Sequence, residues 1–136
     1  MKKGLAMTWK ILVPAVSMLL ILNGCETTSS SSSKLIGTPE AAWEGPVLIS
    51  QAPIPESIEH KVIGTVEANA QVGYDNVMTL YPLLADEARK IGANAVVDVK
   101  GGRRFTGMSW AAAYVAGTAV RVDDRKKLDE LPGTHH

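Results

Sequence analysis

The chain has 136 residues, 14 Lys+Arg against 14 Asp+Glu, and a single cysteine. That length bounds the fold to one small domain. The balanced charge gives no electrostatic footprint for nucleic acid, and one cysteine excludes an internal disulfide and a cysteine-built metal centre.

Residues 1–24 have the three parts of an export signal. Lys2, Lys3 and Lys10 form a basic start, Ile11 to Leu22 is an apolar run interrupted by Pro14 and Ser17, and Gly24 is the small residue before the expected cut. Twelve residues in helix span about 18 Å, short of the ~30 Å hydrocarbon core, which argues against a transmembrane anchor. An ordinary signal peptide is the other alternative. The run Leu22-Asn23-Gly24-Cys25 resembles the lipobox of bacterial lipoproteins, with Asn23 where the commonest form has Ala, Ser or Thr. The resemblance implies cleavage between Gly24 and Cys25 and acylation of Cys25. One acyl chain gives marginal binding, near 10⁴ M⁻¹, whereas two or three on one residue hold a protein permanently. Glu26, rather than Asp, follows the cysteine. By the same resemblance this leans towards the outer membrane, in a cell that has one. The expected location is therefore the bacterial cell envelope, with the lipid bilayer as a partner through Cys25.

Removing 24 residues from 136 leaves 112, with 11 Lys+Arg against 14 Asp+Glu, a net charge of −3. Residues 25–45 read as an acylated cysteine and a Ser-rich tether, because small polar side chains bury too little area to offset chain entropy. Such a tether has an r.m.s. span of roughly 25 Å and would hold the domain off the headgroups. Trp43 within it either packs on the domain edge or touches the membrane interface.

The domain is expected over residues 46–123. Val47-Leu48-Ile49 reads as a short edge strand. Lys61 to Glu67 reads as a strand rich in β-branched residues, with a bulge or close backbone approach at Gly64. Val77, Leu80, Tyr81, Leu84, Ala88 and Ile91 recur at helical spacing, with Asp75 a plausible N-cap. Pro82 demands a kink or a fresh helix start. Asp86 and Lys90 are spaced as a supporting pair, and Gly92 supplies a left-handed cap. The run from Ala93 to Lys100 reads as a half-buried strand in which Ala95, Val97 and Val99 share one face and Val96, Asp98 and Lys100 the other, and Gly101-Gly102 is expected to break or bulge it. A last strand lies around Ala112 to Val122. The order β-β-α-β-β gives an α+β fold, one small domain with one helix on a largely antiparallel sheet. Residues 124–136 read as a charged, flexible tail, frayed or weakly helical.

The run from Leu84 to Val99, LADEARKIGANAVVDV, resembles the helix-to-strand segment of the YbjQ family, which is labelled heavy-metal-binding. Val62 to Val66 and Gly117 to Val120 resemble its first main and terminal strands, so the resemblance covers about residues 47–122. It implies assembly into rings. A domain this small is marginal alone, which agrees with pairing between copies. Ala111 to Ala113, Met108, Trp110 and Tyr114 supply either that interface or the monomer's own core.

No catalytic constellation is legible. Ser50, Ser57 and Ser109 lack a His–Asp pattern or nucleophile elbow, Gly101-Gly102 has neither the spacing nor the following helix of a phosphate loop, and Asp75 and Asp98 read as solvated acids rather than a carboxylate pair. For metal, the candidate donors are His60, Glu67, Asp75, Asp98 and the pair His135-His136, with no second histidine at ligand spacing from His60. No metal site and no cofactor are expected. Arg103, Arg104, Trp110 and Tyr114 form the candidate interaction surface, basic beside aromatic. The expectation is a non-enzymatic envelope lipoprotein acting through a homo-oligomer or an unidentified envelope protein. The alternative is a metal-binding envelope lipoprotein.

Overall fold

The computed structural model describes residues 29–70, 76–105 and 111–136. Gly24, Cys25, Asp75, Met108, Ser109 and Trp110 lie outside them. Among the described residues six strands form one sheet: β1 (Ser29–Leu35), β2 (Leu48–Ile49), β3 (Lys61–Ala70), β4 (Ala95–Arg104), β5 (Ala112–Arg121) and β6 (Thr134–His135), in the order β1-β3-β5-β4-β2-β6. β1–β3, β3–β5, β4–β5 and β2–β6 pair antiparallel, and β2–β4 pair parallel. β3 and β4 thus run parallel on either side of β5, joined by the main helix α1 (Tyr81–Lys90).

The α+β class and one main helix on a mostly antiparallel sheet hold, but the order β-β-α-β-β does not. Two strands arise from segments where no strand was expected. The serine run becomes β1, in register from Ser29 opposite Ala70 to Leu35 opposite Gly64. Its backbone satisfies the open edge of β3, and polar side chains are tolerated because the strand lies at the rim. The charged tail holds a short helix, α2 (Arg125–Asp129), capped by Asp124, and then β6. The backbones of Val47 and His136 exchange two hydrogen bonds, of 2.8 and 2.9 Å. The Val47–Ile49 strand is therefore covered on both sides rather than lying at the edge.

α1 forms because Leu80, Tyr81, Leu84, Ala85 and Ala88 turn one apolar face to the sheet. Alanines at two of these positions allow close approach. Pro82 is accommodated in the first turn: a 3₁₀ segment (Val77–Leu80), capped by the side chain of Asn76, ends where α1 begins. At the far end Gly92 has φ of 89°, its N–H reaches Arg89, and the Ala93 N–H reaches Ala88. This is a Schellman cap, which only glycine enters without strain. Asp86 pairs with Arg89 at 2.6 Å and Glu87 with Lys90 at 3.3 Å, in place of the expected Asp86–Lys90 pair.

Both sheet faces carry apolar packing. Under α1 lie Ile63, Val66, Val96, Val99, Val115 and Ala119, with Trp43 packed against them. Trp43 takes the domain-edge position and lies beneath the Arg121 guanidinium, 4.5 Å from the ring centre. On the opposite face Leu48, Ala95, Val97, Val120 and Val122 are covered by Ile54, Ile58 and Leu128. Val99 therefore lies under the helix with Val96, not beside Val97. The cause is a bulge between Val97 and Lys100, where Asp98 takes a φ of 57°. Gly101 and Gly102 neither break nor bulge the strand. Gly64 does mark a bulge, between Val62 and Gly64, and a Cβ there would meet the Lys34 carbonyl oxygen at 2.3 Å.

Candidate interaction surface

Strand pleating assigns the remaining side chains. Ser31 Oγ donates to Glu87 on α1 at 2.8 Å, so Ser31 faces the helix, and Ser30, Ser32 and Lys34 face the other way. By register, Ser30 stands opposite Asn69, Asn69 opposite Tyr114 and Tyr114 opposite Gly102. One row thus crosses four strands on the face away from α1. Ser32–Glu67–Ala116–Lys100 is the next row by the same pairings. Along β1 and β3 the surface dips into a concavity of about 260 Å³ lined by Ser32, Lys34, Thr65, Glu67 and Ala116.

Arg104 and Tyr114 meet on this face. The guanidinium carbon lies 3.9 Å from the ring centre, a cation–π contact, and Nη2 reaches Glu67 at 3.2 Å. The glycine pair makes the arrangement possible. A Cβ on Gly102 would stand 3.2 Å from Tyr114 Cε1, so the ring lies across that glycine. A Cβ on Gly101 would stand 2.5 Å from Val77 Cγ1 on the helix side. Each glycine leaves room for a neighbour on one face. Arg103 points its Nη1 to the Ala111 carbonyl at 3.0 Å, drawing the ends of β4 and β5 together.

The structure therefore unites Arg104 with Tyr114 and sets Arg103 at the strand end. Trp110 falls outside the described residues. Ala112 and Ala113 are buried in the monomer, Ala113 beneath α1. Glu67 belongs to the same cluster, a role invisible in sequence because its register with Tyr114 depends on long-range strand pairing.

The candidate metal donors are dispersed. His60 Nδ1 contacts the Ile58 carbonyl at 2.7 Å, Glu67 pairs with Arg104, and Asp98 sits on the bulge. Among the described residues no group of three His, Cys, Asp or Glu side chains is arranged to hold a metal ion.

Further concavities lie among the described residues. A charged one of about 220 Å³ is lined by Glu59, His60, Lys61, Arg121, Asp123 and Lys127. Its Lys61 ammonium is held above the usual lysine range by a hydrogen bond and charge attraction from Glu40. An apolar one of about 350 Å³ lies between Ile49, Ala52, Met78, Tyr81 and Pro132. Beside it the His136 ring meets Tyr81 edge-on at 5.7 Å. Burial, then the positive charges of Arg89 and His135, push the His136 pKa down from its ordinary value. Sequence reasoning missed this concavity because it needs residues 132–134 folded back beside β2. Among the described residues no helix is long and apolar enough to cross a membrane.

No family model, no curated protein and no solved structure matches this chain.

Proposed function

We propose that the chain is a lipid-anchored lipoprotein of the bacterial envelope, in the outer membrane where the cell has one. Its domain works without catalysis, through contacts with an envelope protein or with further copies of itself. The observation that carries the anchor is Leu22-Asn23-Gly24-Cys25 closing an apolar run too short to span a bilayer. Membership of a YbjQ-like group rests on the run from Leu84 to Val99. Support for an interaction role comes from the sheet face bearing Arg104, Tyr114 and Glu67. Aromatic and arginine side chains on an accessible, rigid surface are the types that dominate protein contacts.

Growth of an expressing strain in labelled palmitate tests the anchor. Label is expected on the wild-type chain and absent from Cys25→Ala; a variant labelled as strongly as wild type defeats the proposal.

A further inference from the structure

Between Cys25 and the first residue of β1 stand only Glu26, Thr27 and Thr28. Four residue steps reach at most about 14 Å. An acyl group on Cys25 would therefore hold one particular end of the sheet at the lipid surface, instead of releasing the domain on a long tether. Strand register identifies that end. Ser30, Asn69, Tyr114 and Gly102 form one row, and the chain leaves this row through Ser29 on β1 and through Arg103, Arg104 and Phe105 on the β4 side. β1 and β4 are three strand spacings apart, about 14 Å. The opposite end carries Lys61 opposite Arg121, and Asp123 just beyond.

We propose that the sheet end bearing Arg103, Arg104 and Phe105 rests on anionic lipid headgroups. This deepens the anchoring reading above and depends on it. Three features fit the occupant. The leash length brings this end, and not the Asp123 end, to the bilayer. Phe105 is 58% exposed, and an aromatic ring with one side in water suits the headgroup level. Arg103, Arg104 and Lys100 bring three cations to the last residues of β4; the acids nearest in register or sequence are Glu67, which pairs with Arg104, Asp98 on the same strand, Glu26 in the leash and Asp75 beyond β3. Anionic headgroups attract such a cluster, and arginine stems lie along apolar surface while their heads stay wet. Arg104 is held ready by its stack on Tyr114.

The test uses mature protein isolated from cells. Acylation removes the only native thiol, so Phe105→Cys and Asp123→Cys each carry one fluorophore at a unique site. Both are reconstituted in vesicles containing nitroxide-labelled lipid, either phosphatidylcholine alone or mixed with phosphatidylglycerol. The expected result is loss of most emission at position 105 in the anionic vesicles, little loss at 123, and recovery of the 105 signal when Arg103→Gln and Arg104→Gln are added. Equal quenching at both positions, or at 105 irrespective of lipid charge, overturns the proposal. Shielding of the 105 label by added cell-wall fragments, without lipid quenching, overturns it in favour of a glycan. The mass of each sample reports the acyl chains separately: acylated protein without quenching sinks this inference and leaves the anchor standing, whereas unacylated Cys25 sinks both.

Discussion

The side chain of Asn94 forms two hydrogen bonds to the backbone of Val122: Nδ2 donates to the carbonyl at 2.7 Å, and Oδ1 accepts from the N–H at 2.8 Å. Asn94 is 1% exposed, and its own backbone bonds Leu48 and Val120. One residue thus joins the entry of β4, the exit of β5 and the start of β2. Asn94→Ala leaves the buried N–H and carbonyl of Val122 without partners. Each orphaned group costs about 1–3 kcal/mol, so the variant is expected to lose about 3 kcal/mol in urea denaturation. A loss below about 1 kcal/mol would contradict this geometry.

The bulge at Asp98 is a second sharp feature. A β-branched residue in the left-handed region is strained, so Asp98→Val is expected to destabilise by about 2 kcal/mol, while Asp98→Gly stays near wild type. The facing Gly117 has no room: a Cβ there would stand 2.5 Å from Val96 Cγ1 and 2.9 Å from Val99 Cγ2. Gly117→Ala is expected to cost about 1–3 kcal/mol by overpacking. Thermal unfolding of the three variants checks the set.

These two features show where sequence reading stops. The helix was legible because Leu80, Leu84 and Ala88 repeat at its period and because Pro82 and Gly92 punctuate its ends by local chemistry. The bulge was not, since alternation in Ala95 to Lys100 looks unbroken until one extra residue shifts Val99 to the other face. β1 was hidden for a different reason. Serine says nothing about strand pairing, and Ser29 to Leu35 owe their conformation to the free edge of β3. Of the candidate surface, Arg103, Arg104 and Tyr114 were visible as residue types near one turn; the partnership with Glu67 was not, because it is a matter of register.

Hydrogen exchange distinguishes strand from tether. Amides of Ser29 to Leu35 that point to β3 are expected to exchange far more slowly than a free serine run, and Ser31→Pro is expected to abolish that protection. Exchange at the free-chain rate throughout would restore the tether.

His136 gives a pH dependence. Its pKa is lowered on folding, so the unfolded chain binds more protons than the native one as pH falls below the ordinary histidine value of 6.5. The stabilisation is complete above that value and is lost on acidification towards the lowered native pKa. The groups that set the shift, besides burial, are Arg89 and His135. Melting temperatures at pH 7.5 and 5.5 are expected to fall more for wild type than for His136→Gln; equal falls would contradict the linkage.

The chemistry at Cys25 is tested most directly by mass spectrometry of the amino-terminal peptide from protein isolated out of cell envelopes. The account predicts a chain beginning at Cys25, heavier than its sequence by a diacylglyceryl group. A peptide that begins at Met1, or an unmodified cysteine at the cut, would contradict it.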